Sequence, residues 1–293
     1  MKLAKNLEIT VRVLGRPARE MLQGAGQLTV LGVTSRGAFL QRAAGSVCFL
    51  SQERWRGPLT ANLRERVSLR DCLRVGEQGL IDAGQMAFPA CRISLPEAAA
   101  VWEPALVPMD PADLPQALFR GAAWARSLAA ADQGGLFQGF YPAAAKPSWE
   151  EAEKALLALI PSVSGQGSLL AQLPELLGLG EGLTPAGDDF ICGWLLARHA
   201  LEQNFSIPEH AARSLADLPA LARERTSALS ASLIACAAGG QADERLMQAL
   251  SWLLTGAGDA EKIKEELLTY GSSSGSDAMA GMLASLMMVN DTP

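Results

Sequence analysis

Two adjacent aspartates, Asp188 and Asp189, follow a run of glycines in "GLGEGLTPAGDDFICGWLLARH" (178–199). Carboxylates at such a turn can hold a hard cation, exchange a proton, or accept hydrogen bonds from amide N–H groups. A second stretch repeats the arrangement. "SSSGSDAMAGML" (272–283) aligns under "TPAGDDFICGWL" (184–195) without a gap. The shared pattern is [ST]-x-x-G-x-D-x-x-x-G-x-L. It pairs Thr184 with Ser272, Gly187 with Gly275, Asp189 with Asp277, Gly193 with Gly281 and Leu195 with Leu283.

One unit of this pattern is expected to be a loop followed by a helix start. The first glycine permits positive φ and a close approach to the backbone. The aspartate falls at or near the N-cap, where it can accept from the helix's free N–H groups. The second glycine, four residues on, shares the aspartate's face and leaves room for a neighbouring helix or a ligand. Two such starts facing each other would form a pocket of N–H groups, hydroxyls and carboxylates suited to small anions. The same residues also serve simple ends: an aspartate as an ordinary N-cap, a glycine as a packing contact.

Helical spacing brings a third segment into the same frame. In "RERTSALSASLIACAAGG" (223–240), Thr226, Ser230 and Leu233 share one side of a helix. Their hydroxyls either line the pocket or bond back to their own helix. Arg225 would supply the positive charge that an anionic substrate needs. Asp188 and Asp189 are the expected catalytic pair. Thr184, Gly187, Arg225, Thr226, Ser230, Ser274, Gly275 and Asp277 are the expected substrate contacts. Cys192 and Cys236 lie in apolar helical patterns and read as core.

Other chemistries have little to work with. The chain has 293 residues but only two histidines, His199 and His210, which argues against a zinc site or a Ser-His-Asp triad. No metal and no cofactor is expected. Five scattered cysteines without a C-x-x-C fit reduced thiols in a cytoplasm. The apolar runs are too short for a membrane span, and "MKLAKNLEITVRV" lacks the apolar core of a secretory signal. Charge is uneven, with 14 Lys and Arg against 10 Asp and Glu up to residue 110, and 11 against 21 beyond. Arginine makes up most of the early bases and favours bidentate pairing, with an acidic surface or a partner chain. The net charge of −6, without basic-aromatic clusters, argues against nucleic acid.

The elements that must position these residues fall into two groups. Residues 1–108 read as a β-rich, barrel- or sandwich-like domain. Alternation runs through "QLTVLGVTSRGAFLQRAAGSVCFLS", with turns at Ser35-Arg36-Gly37 and Ala43-Ala44-Gly45, and "RVSL" and "ACRISLP" are further strand candidates. Pro104, Pro108, Pro111 and Pro115 then break the pattern. Residues 109–293 read as an all-helical domain, giving an α+β chain. Its signals are an apolar stripe at 113–131, capping boxes at Ser148/Glu151 and Ser206/Glu209, a stop at Pro161, and glycine C-caps before Gly240 and at Gly256. A charged amphipathic helix is expected over 259–269 and a last helix from near Ser276.

In this order, "GLGEGLTPAGDDFICGWLLA", "RTSALSASLIACAAGG" and "GSSSGSDAMAGML" resemble the AllH family. "GPLTANL" (57–63) adds a match in the N-terminal half. The resemblance implies a subunit of an oxamate carbamoyltransferase in anaerobic allantoin breakdown. Oxalurate and phosphate would be interconverted with oxamate and carbamoyl phosphate, in a complex with other subunits. Ser276 departs from the first motif's acid pair. Two further functions compete: a non-catalytic binding or scaffold subunit docking through the arginine-rich domain, and a magnesium-dependent hydrolase with acids in a helical site.

Overall fold

Alternation of apolar and polar residues makes strands with one dry face, as in residues 7–15 and 26–33. The computed structural model describes residues 7–43, 45–106, 109–131, 135–146, 148–160, 168–202 and 216–290. It divides into two units, Met1–Pro104 and Ala105–Pro293.

The first unit is a β-barrel. Its strands are β1 (Leu7–Gly15), β2 (Gly26–Val33), β3 (Gly37–Arg42), β4 (Val47–Ser51), β5 (Thr60–Leu63), β6 (Gln78–Asp82), β7 (Gln85–Ala87), β8 (Cys91–Ser94) and β9 (Ala100–Trp102). They run in the order β5-β4-β3-β2-β6-β7-β8-β1-β9. β1 closes the barrel. It pairs antiparallel with β5 (Val11 opposite Leu63) and parallel with β8 (Ile9 opposite Ile93). Beyond β8 it takes up β9 in parallel, Leu14 opposite Val101. Ile9, Val11, Leu28, Val30, Leu40, Leu50, Ile81 and Ile93 form the buried interior. Two short helices join in, α1 (Arg16–Met21) and α2 (Leu69–Cys72).

The turn at Ser35-Arg36-Gly37 forms as expected. Thr34 Oγ1 accepts from the Arg36 and Gly37 N–H groups at 3.1 Å. "ACRISLP" contains β8, but "RVSL" is not a strand. Its backbone N–H at Val67 is taken by Gln52 Oε1 (2.9 Å), and the chain turns at Ser68 into α2 so that Leu69 and Cys72 can both be buried. Several arginines of this unit are used within it, Arg16 on Glu103, Arg36 on Glu53 and Arg56 on the Trp102 ring among them. The Arg42 guanidinium donates to the carbonyls of Met21, Gln23 and Ala25 at 2.7–2.8 Å, holding the turn before β2.

The second unit is helical. It contains α3 (Leu114–Ala130), α4 (Tyr141–Ala144), α5 (Trp149–Leu157), α6 (Leu169–Gln172), α7 (Ala186–Glu202), α8 (Leu218–Arg225), α9 (Ala228–Ala238), α10 (Glu244–Thr255), α11 (Ala260–Leu268) and α12 (Ser274–Asn290). Ser148 Oγ caps α5 by accepting from Glu151 N–H at 3.4 Å. Asp259 caps α11 in the same way, and Gly256 ends α10 in the left-handed region at φ 72°. The capping box at Ser206/Glu209, His210, Pro108 and Pro161 lie outside the described residues. α7 and α12 carry apolar and small residues almost all round, the pattern of a helix with no solvent face. They form the centre of the unit. α12 is flanked by α3, α5, α10 and α11, and α7 by α9. No helix among the described residues is long and apolar enough to cross a membrane.

Candidate functional site

The two motif copies build equivalent structures. α7 and α12 have 17 residues each and begin at matched positions, so that Asp189 and Asp277 are each the fourth residue of a helix. The helices cross where their glycines meet. A Cβ on Gly193 would stand 1.8 Å from the carbonyl oxygen of Ala278, and one on Gly281 would stand 2.0 Å from that of Phe190. Phe190 and Ala278 are themselves equivalent in the repeat, so the contact is reciprocal. Glycine is required at both positions because backbone meets backbone. The helix starts converge as well: Thr184 Oγ1 and Ser274 Oγ are 3.2 Å apart.

The first glycines of the repeat act differently from expectation. Gly187 and Gly275 keep right-handed helical backbone. A side chain there would strike the carbonyl oxygens of Leu176 (2.0 Å) and Leu267 (2.2 Å), which press on them from the preceding segments. Their N–H groups are also spent, on the carbonyls of Leu179 (2.8 Å) and Tyr270 (2.9 Å). The left-handed backbone lies upstream instead, at Gly178, Gly180 and Gly182, with φ of 76°, 115° and 98°. That turn lets the chain fold back onto the start of α7.

Nor do the aspartates cap their helices. Each helix begins three residues earlier, and the N–H groups of Asp189 and Asp277 donate to the carbonyls of Pro185 (3.1 Å) and Ser273 (2.9 Å). The last helix thus starts at Ser274 rather than near Ser276. All three acids are buried, at 1% exposure for Asp188 and Asp277 and 3% for Asp189. Asp188 is fully engaged. Its Oδ1 accepts from Gly178 N–H at 2.8 Å, and its Oδ2 takes a short hydrogen bond from the Thr226 hydroxyl. Asp189 and Asp277 differ: the Oδ2 atom of each is buried with no hydrogen-bond partner.

Burial therefore sets the protonation of this pair. It pushes the Asp189 carboxyl up to about 8, with a further rise from the charge of Asp277 and some relief from the Ser274 and Thr184 hydroxyls. Asp277 is pushed up to about 6, again by burial. Burial thus favours the protonated form of both acids, and of Asp189 the more strongly.

The third segment joins at one point and departs at another. Thr226 reaches Asp188, but from extended backbone between α8 and α9 and not from a helix face it shares with Ser230. α9 begins at Ala228 because Ser227 caps it, its Oγ accepting from Ser230 N–H at 3.1 Å. Ser230 lies in the first turn of α9, buried to 1%, with its Oγ unpartnered. Arg225 does not turn towards the aspartates. Its half-exposed guanidinium donates to the Pro174 carbonyl (3.1 Å) and pairs with Glu175 (3.4 Å). Burial pushes the Cys236 thiol up to about 12 and raises that of Cys192 well above its ordinary value, which keeps both protonated.

Three contributors were not evident in the sequence. Phe137 N–H donates to Asp277 Oδ1 at 3.4 Å. Gly135, at φ 97°, passes so close to Asp277 that a Cβ would meet Oδ1 at 2.7 Å. The Tyr141 hydroxyl donates to the Ser276 carbonyl. These residues lie some 140 positions from their partners, and no local spacing links them; the glycine-aromatic run "GGLFQGFY" was the available signal.

Among the described residues no group of three or more His, Cys, Asp or Glu is arranged to hold a metal ion. No curated protein and no solved structure matches the chain. The family resemblance carried by the three motifs is borne out over the region that contains them: residues 176–286, spanning both helix starts, match the model of the AllH family, oxamate carbamoyltransferase subunit AllH.

Proposed function

We propose that this chain is a cytoplasmic subunit of a heteromeric carbamoyltransferase that interconverts oxalurate and phosphate with oxamate and carbamoyl phosphate in allantoin breakdown. One observation carries the reading. The segment that matches the oxamate carbamoyltransferase subunit is the segment whose two repeats cross at Gly193 and Gly281 and bury Asp189 and Asp277 at their matched helix starts.

In the direction of carbamoyl phosphate formation, a phosphate oxygen attacks the carbamoyl carbon of oxalurate. The C–N bond to the oxamate nitrogen breaks, and that nitrogen must gain a proton as phosphate loses one. A carboxyl that keeps its proton near neutral pH is suited to this exchange. Asp189 gives its proton to the departing nitrogen and recovers one from the phosphate. Asp188 works through position: by fixing Gly178 and Thr226 it holds the first turn of α7. Thr184 and Ser274 hold the two starts together, and Gly187 and Gly275 let the preceding segments pack against them. Ser230 offers a free hydroxyl from α9, while Arg225 secures the 174–175 segment. The phosphate end of the reaction falls to other groups of the complex.

The test is the rate of the complete complex with Asp189→Ala in this subunit. Loss of about 10²-fold or more in carbamoyl transfer, with a melting temperature near that of the parent, is the expected result. A near-normal rate would remove catalysis from this chain and leave the scaffold reading.

A further inference from the structure

The expected anion pocket needed free N–H groups at two helix starts. The observed starts have spent those of Gly187, Asp189, Gly275 and Asp277 on protein carbonyls. What remains open is of the opposite kind. Asp189 and Asp277 each present an Oδ2 that is buried and unpartnered, at 3% and 1% exposure. A buried carboxylate oxygen without a donor costs free energy that a ligand's N–H can recover. An added anion would meet acceptors and negative charge.

We infer that the α7–α12 crossing receives the N–H-bearing end of the substrate, a carboxamide or ureido group, with the Oδ2 atoms of Asp189 and Asp277 as its hydrogen-bond partners, and that it does not bind the phosphate or carboxylate end. The inference rests on the carbamoyltransferase reading and names which part of the substrate this site takes. Each Oδ2 can accept from an NH2 group, and a carboxyl that keeps its proton can also donate to the C=O beside it, so the pair suits a group that carries N–H and C=O side by side. Thr184 and Ser274, joined at 3.2 Å, bind the two halves of this receptor to each other.

Oxamate and oxalate separate the possibilities, because they share one carboxylate and differ only in carrying a carboxamide or a second carboxylate. Isothermal titration of the full chain is expected to give oxamate about tenfold or more the affinity of oxalate. In Asp277→Asn the amide oxygen keeps the Phe137 N–H and turns its NH2 to the former Oδ2 position, so the preference should shrink or reverse. The wild-type comparison stands even where that variant does not fold. Equal affinities, tighter binding of oxalate, or an unchanged ratio in folded Asp277→Asn would overturn this inference alone. Binding of neither probe would overturn it together with the carbamoyltransferase reading.

Discussion

The starts of α7 and α12 share a backbone and part company in how they use their polar groups. At α7 the third residue, Asp188, ties down two distant pieces of chain, Gly178 and Thr226. At α12 the side chain of the equivalent Ser276 does only local work, its hydroxyl donating to Ser273 O at 2.7 Å, while its backbone carbonyl receives the distant Tyr141 hydroxyl. The fourth residue is an aspartate in both, and in both it keeps an unpartnered oxygen. The repeat thus fixes the frame and one chemical feature. The position beside that feature is free to vary, and it has become a structural anchor in one copy.

The common frame can be broken most severely at its centre. Gly193→Ala or Gly281→Ala would place a methyl within 2.0 Å of a facing carbonyl oxygen. Because backbone cannot yield as a side chain can, each should cost about 3 kcal/mol or more in chemical denaturation. The double variant should cost less than the sum, since one separation of the helices relieves both clashes. Additive losses would show that the two contacts are independent.

The difference between the copies should show in the cost of losing each side chain. Asp188→Ala leaves Gly178 N–H and the Thr226 hydroxyl without their acceptor, and a loss of about 2–4 kcal/mol is expected. Ser276→Ala, at the equivalent position, should cost under about 1 kcal/mol, because only a bond back to its own turn is lost. Similar losses for the two would mean that the asymmetry has no energetic weight.

Their shared feature makes a prediction of sign. Folded Asp189 retains its proton up to about 8, against 3.8 for the ordinary carboxyl. The folded state therefore binds more protons than the unfolded one over that window. Stability should fall as pH rises from about 4 to 8, and change little from this source beyond. Asp189→Asn, neutral at every pH, should remove much of this decline and melt higher than the parent by a few degrees at pH 8, although carbamoyl transfer is lost. Thermal melts between pH 5 and 9 check it; a parallel decline in the variant would assign the slope to other groups.

Much of this was legible locally. The hairpin at 35–37, the cap at Ser148 and the glycine stop at Gly256 depend on residues within a few positions of each other, and they form where the pattern puts them. The matched motifs also gave the equivalence of the two helix starts. What sequence could not give was the occupancy of polar groups. Nothing near Gly187 says that the Leu176 carbonyl will fill the space above it, and nothing near Asp277 points to Phe137. The first contact reaches back 11 residues across the glycine turn and the second 140, beyond what neighbouring residues encode. The position of the caps failed for a related reason. Asp189 and Asp277 are good N-cap residues by type, but Pro185 and Ser273 supply the first accepting carbonyls and move both starts upstream.

The way β1 closes the barrel bears on how the chain is made. This strand is made before the others of its unit, yet β5, β8 and β9, with which it pairs, begin at residues 60, 91 and 100. The hairpins of β2, β3 and β4 can assemble during synthesis; β1 must wait until most of the unit has emerged. Such long-range pairing makes folding slow, and it leaves an unpaired apolar strand exposed in the meantime. The nascent barrel unit is therefore most open to aggregation before its hundredth residue appears, and chaperone demand should peak there.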